Sequence, residues 1–247
     1  LSAVKIGPAL AAGNTIVLKT SEHAAAPMLE FGKLIAQAGI PDGVVNIISG
    51  HGDPCGKVLT SHPKVARVSF TGGPVSARHV IQNSAENFAE VSLELGGKSP
   101  FIVFADADIE SAVNGSVGGI FAATGQSCVA GSRLLLQEDI ADEFIEKLVA
   151  VAKTVKIGDP MLDETEMGPL CTKGQQDHIK REVAHAITEG ATIRAGGAVP
   201  VGLEGIFFEP TIVNCPSHDL RIVDTELFGP VVSVVRFKTE QEAVRLA

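Results

Sequence analysis

The string Gly125-Gln126-Ser127-Cys128-Val129-Ala130-Gly131-Ser132 places a cysteine between glycines, after a helical stretch and before an apolar strand. A turn of that kind can expose a side chain and aim backbone N–H groups at one point, as a covalent nucleophile with an oxyanion site requires. Only the thiolate reacts, and the string alone equally describes a buried structural cysteine. Glu94 is the second candidate. It stands between leucines in LELGGK, on an otherwise apolar strand. Burial would raise its pKa and suit it to general-base work, whereas on an edge strand in water it would be an ordinary carboxylate.

Two further strings suit a nucleotide. Phe70-Thr71-Gly72-Gly73 follows a strand and opens a helix, where free N–H groups favour phosphate and glycines allow close approach. Lys19-Thr20-Ser21-Glu22 follows another strand, at the end where open α/β sheets bind ligands. Glu22 there could accept ribose hydroxyls and repel a 2′-phosphate. It could equally be a carboxylate at a helix N-terminus. Other chemistries lack their strings: there is no GxSxG, GxGxxG, Walker A, CxxC or HExxH. The four cysteines (Cys55, Cys128, Cys171, Cys215) and the scattered histidines show no ligand spacing, so no metal site is expected.

The elements that must position these residues alternate. Strand-like runs at 15–19, 44–49 and 65–71 are separated by helical stretches at 25–38, 53–61 and 74–84. That spacing predicts βαβ units and a parallel sheet. The segment 91–97 breaks the rhythm. A second α/β series follows, with strands at 99–105, 133–137, near 191–196 and 209–213, and at 231–237. Its helices are expected over 108–123, 139–154 and 174–189, with a loop at 158–169. The expectation is an open parallel-sheet domain in 1–95 and a second α/β domain in 96–247, with the boundary near Leu95–Gly96.

The 20 Lys and Arg against 29 Asp and Glu give a net charge of −9, which speaks against nucleic acid as a partner. No apolar run approaches the ~20 residues that a membrane-spanning helix needs, and no secretory pattern is present, so a cytoplasmic protein is expected. The chain lacks an initiator Met and ends in a helix-like stretch, EQEAVRLA, which suggests a fragment.

Taken together, these strings resemble the aldehyde dehydrogenase superfamily. AVKIGPALAAGNTIVLKTSE, FTGG, LELGGKSP, GQSCVAGSR, MGPL, EPTIV and ELFGPVV occur in the family's order across the whole chain, and LELGGKSP followed by GQSC is highly specific. The resemblance implies an α/β fold of aldehyde dehydrogenase type, with a dinucleotide-binding domain and a catalytic domain. It implies an NAD(P)-dependent oxidoreductase with Cys128 as nucleophile and Glu94 as the base that activates water. NAD would be preferred to NADP. Lys19 and Glu22 would hold the adenosine ribose, Gly72 and Gly73 the pyrophosphate, and Glu226 and Phe228 the nicotinamide ribose, with Lys5 in a secondary role. The implied substrate is a small-molecule aldehyde, which the sequence does not name, and the implied assembly a homo-dimer or homo-tetramer. The family often has Ser at position 73 and Gly at position 77, where this chain has Gly73 and Ala77. The family's oxyanion-hole Asn would precede Leu1. Two other readings stay open: a CoA-acylating semialdehyde dehydrogenase, against which Glu94 argues, and a catalytically incomplete nucleotide-binding fragment.

Overall fold

A computed structural model describes all 247 residues. The chain forms two compact units, Leu1–Leu95 and Gly96–Ala247.

The first unit runs α1 (Ser2–Ala11), β1 (Ile16–Lys19), α2 (Ala25–Gln37), β2 (Val45–Ile48), α3 (Lys57–Thr60), β3 (Arg67–Thr71), α4 (Pro74–Ser84) and β4 (Glu90–Glu94). β1 pairs with β2 and β3 with β4, both in parallel, as two separate two-stranded sheets. The helix expected over 53–61 is a wide turn at Gly52–Gly56 followed by the single turn of α3. α1 is not among the elements expected from sequence; it forms with Pro8 inside it, a residue that ordinarily breaks a helix. α2 closes where expected, with Gly39 in the left-handed conformation at φ +79°. The segment that interrupts the sequence rhythm is strand β4, in register Thr71↔Glu94 with β3.

The second unit comprises β5 (Pro100–Val103), α5 (Ile109–Phe121), β6 (Arg133–Gln137), α6 (Ala141–Ala152), α7 (Lys173–Thr188), β7 (Thr192–Ala195), β8 (Thr211–Asn214), α8 (Arg221–Asp224), β9 (Val231–Phe237) and α9 (Glu240–Leu246). Its sheet has the order β5-β6-β9-β8-β7, parallel except for β7, which runs antiparallel to β8 at the edge. Side chains alternate across a strand, so Leu134 and Leu136 of β6 face Phe144, Ile145 and Leu148 of α6 and the apolar side of α5. Leu135 faces the other way, toward Ile179, Val183 and Ala186 of α7. Both sheet faces are therefore covered, which explains strands that are apolar throughout. The helix ends follow capping chemistry: Asp108 accepts from Ser111 N at 2.8 Å before α5, and Thr172 accepts from Gln175 N at 3.2 Å before α7. α5 stops at Phe121, two residues short of the expected end, because Ala123, Thr124 and Gly125 take left-handed backbone angles.

Candidate active site

In the first unit, Lys19 ends β1 and its ammonium donates to the carbonyls of Thr20 (2.7 Å) and Gly50 (2.8 Å). Glu22, one turn further on, is exposed and lies 3.9 Å from His51 Nδ1. Its own backbone N–H holds its carboxyl below the usual range, helped by the charges of Lys19, His23 and His51 and opposed by partial desolvation. A cation and an acceptor thus stand at and just after the C-terminal end of a parallel strand.

At β3, Gly72 N–H donates to Glu94 O at 3.1 Å, and a Cβ on Gly72 would meet Phe70 Cζ at 2.7 Å. Gly73 is the N-cap of α4, with Pro74 in the first turn and open space where a side chain would stand. The buried Thr71 Oγ1 beside this turn has no partner. Free helix N–H groups and an orphaned hydroxyl fit an anionic group of a nucleotide. Glu94 itself is exposed at the end of edge strand β4, so this unit does not supply the burial considered from sequence. Lys5 Nζ donates to Ser69 Oγ at 2.7 Å; burial pushes the Lys5 amine down, with the Glu94 charge acting the other way. An open apolar hollow of about 340 Å³ lined by Ile48, Pro54, Cys55, Val58, Leu59 and His62 contains none of these candidates.

In the second unit, Cys128 is half-buried and free. It occupies the turn 127–130, which is closed by Ala130 N–H donating to Ser127 O at 3.1 Å; Gly131 N–H then anchors the chain to Gly119 O at 3.1 Å. Within the chain the Cys128 N–H has no acceptor. Glu226 is half-buried, and its carboxylate rests on Gly96, where an added Cβ would lie 1.9 Å from Oε2. Glu226 Oε1 is buried without a partner. Phe228 has φ +48° and is partly exposed. The bare face of Gly125, φ +67°, lies against the Gly229 backbone, 2.1 Å from Gly229 O for an added Cβ, so the segment entering the Cys128 turn touches the end of the loop carrying Glu226 and Phe228.

Two residues of this unit escaped the sequence reading. Gln175 Nε2 donates to Leu227 O and fixes the Glu226–Phe228 loop from α7. Lys98 belongs to the LELGGKSP string, but nothing in its spacing marks it. Its Nζ is buried with no partner, and burial lowers its pKa to about 8, with the charges of Cys215, Glu226 and Asp224 opposing. No group of three or more His, Cys, Asp or Glu gathers as for a metal ion, and no helix is long and apolar enough to cross a membrane.

The family model of the aldehyde dehydrogenase family matches residues 1–247, and the chain belongs to that family. It is 57% identical over 248 residues to a (Z)-2-((N-methylformamido)methylene)-5-hydroxybutyrolactone dehydrogenase of Acinetobacter baylyi, covering 100% of this chain and 51% of that protein. It is 46% identical to a chloroplastic betaine aldehyde dehydrogenase of Atriplex hortensis, over 98% of this chain and 49% of that one. Among solved structures, betaine aldehyde dehydrogenase from Staphylococcus aureus in complex with NAD+ superposes with a TM-score of 0.95 at 42% identity, over 99% of this chain and 49% of that one. PnpE in complex with nicotinamide adenine dinucleotide gives 0.96 at 45%, over 98% and 50%. The chain spans about half the length of the relatives it matches.

Proposed function

We propose that this chain is the nucleophile-bearing part of an enzyme that oxidises an aldehyde to a carboxylic acid with NAD. The observation that carries the reading is the turn at Cys128, which holds a free thiol beside an N–H without an acceptor, entered by a segment whose Gly125 packs on Gly229 at the end of the loop of Glu226. The solved relatives that bind NAD support the choice of cofactor. Each unit by itself holds residues suited to part of such a group: in the first, Lys19 and Glu22 to the adenosine ribose and Gly72, Gly73 and the start of α4 to the pyrophosphate; in the second, the unpartnered Glu226 carboxylate with Phe228 to the nicotinamide ribose.

In the reading, Cys128 thiolate attacks the aldehyde carbon and forms a thiohemiacetal, whose oxyanion accepts a hydrogen bond from the Cys128 N–H. When bound, the nicotinamide supplies a two-electron acceptor for the substrate's hydride. Loss of that hydride leaves a thioester on Cys128. Glu94 takes a proton from water, which adds to the thioester carbon; the acid leaves and Cys128 returns as thiolate. A homo-dimer or homo-tetramer acting on a small-molecule aldehyde is the assembly this reading carries.

The test is Cys128→Ser in the intact enzyme. Aldehyde oxidation is expected to fall by at least ~10²-fold while NAD still binds; turnover above about a hundredth of wild type would remove Cys128 from the mechanism. Glu94→Gln separates hydrolysis from CoA acylation. It should give one rapid round of NADH and then stall, with acyl mass on Cys128. An unchanged steady rate would exclude Glu94.

A further inference from the structure

The segment entering the Cys128 turn is held in an unusual conformation by groups outside it. Ala123, Thr124 and Gly125 have φ of +49°, +57° and +67°, a left-handed run in which only the last residue is a glycine. Side-chain-bearing residues do not hold such angles unless the surroundings over-determine them. Three contacts do so here. Buried Thr124 donates from Oγ1 to Gly168 O at 3.1 Å. Gln126 Oε1 accepts from Cys171 N–H at 3.0 Å. Gly125 lies flat against Gly229 and Pro230, where any Cβ would collide with backbone. Two of the three contacts reach the same segment, 167–171, whose Leu170 N–H is itself tied to Ile206 O at 2.8 Å. The three contacts hold the last two residues of the left-handed run and the residue that follows it, and stop two residues short of the thiol.

We propose that Thr124 and Gln126 are positioning residues for Cys128: their two hydrogen bonds to segment 167–171 fix the left-handed run and thereby the place of the thiol. Neither side chain touches the thiol in this structure, so each acts through the backbone. The inference rests on Cys128 being the nucleophile, but its main readout needs no turnover. If the hydrogen bonds are lost, the run relaxes toward ordinary angles and the thiol moves, while the cofactor contacts of the first unit are untouched. A displacement of about 1 Å at a reacting atom is enough for a ~10²-fold rate loss.

The experiment compares Thr124→Val and Gln126→Met, which keep shape and lose the hydrogen bond, with Thr124→Ser and Gln126→Glu, which keep it. In the intact enzyme, kcat, KM for NAD, Tm, and the rate of Cys128 alkylation by iodoacetamide are measured, with Cys55 in the first unit as internal reference. The apolar variants should lose at least ~10-fold in kcat with KM for NAD within about threefold. Cys128 alkylation relative to Cys55 should change at least about fivefold, and the conservative variants should restore both within about twofold. If either apolar variant fails to fold, the other carries the test. Cys128 alkylation unchanged in the apolar variants, or conservative variants as impaired as apolar ones, would overturn the proposal. A fully active Cys128→Ser would instead overturn the catalytic reading, and the alkylation ratios would still report on the turn.

Discussion

Lys98→Met should stabilise the second unit, and more at neutral than at alkaline pH. The Lys98 ammonium has no partner, and its pKa falls from 10.5 to about 8 on burial. The difference of about 2.5 pH units corresponds to roughly 3 kcal/mol at about 1.4 kcal/mol per unit. Because the folded pKa lies below the unfolded one, the unfolded chain binds more protons between pH 8 and 10.5. Stability therefore rises with pH across that window, and the penalty is fully present below it. Cys215 acts oppositely: burial pushes its thiol from 9.0 to about 12, so its contribution is present below pH 9 and is lost as the pH rises further. The difference between wild type and variant cancels most of the Cys215 effect. Lys98→Met should be more stable by about 1–3 kcal/mol at pH 6–7.5, and the advantage should narrow by about 1 kcal/mol by pH 9. The chain has no Trp or Tyr, so urea unfolding is followed by far-UV circular dichroism, with alkylation of buried Cys215 as the local probe. A difference that stays constant from pH 6 to 9, or a variant less stable at pH 7, would refute the reasoning.

Gly96→Ala would place a Cβ 1.9 Å from Glu226 Oε2, so the carboxylate must withdraw by about 1.5 Å to reach ordinary contact. We expect KM for NAD to rise by ~10–100-fold with Tm little changed, as for the loss of charge-assisted hydrogen bonds; steady-state kinetics at varied NAD checks this. Glu22→Ser should narrow a wild-type preference for NAD over NADP of about tenfold or more in kcat/KM, since with the adenosine ribose placed as proposed the carboxylate would repel a 2′-phosphate. Equal use of both cofactors by the wild type, or no gain for NADP in the variant, would show that Glu22 does not set the choice.

Much of the fold was legible because strands covered on both faces are apolar without interruption. VVSVVRF and RLLLQ announce themselves as β9 and β6, and the capping residues Asp108 and Thr172 sit next to the helix starts that periodicity suggests. The misses have physical causes. α1 forms with Pro8 inside it, and the left-handed run after Phe121 cuts α5 short through contacts with residues far along the chain, which no local pattern encodes. Among the candidate site residues, turn chemistry marks Cys128 and Gly72 and a strand end marks Lys19. Glu226 and Phe228 were legible only through the family resemblance. Lys98 and Gln175 carried no signal, because their significance lies in a missing partner and in a carbonyl fifty-odd residues away.

The two helical layers of the second unit hold the segment before Cys128 and the loop of Glu226 from opposite faces of the sheet. α5, which delivers the chain to Cys128, is rooted in the layer of Leu134, Leu136 and Phe144, whereas α7 and the loop ending in Leu227 are rooted in the layer of Leu135, Ile179 and Val183. The segment bearing Cys128 is therefore carried by one side of the sheet and braced from the other, with β6 as the common wall. A volume change in either core shifts the two halves of the site against each other, although it lies remote from the chemistry. Enlarging or trimming Leu136 would slide the carrier, and doing the same at Leu135 would slide the brace.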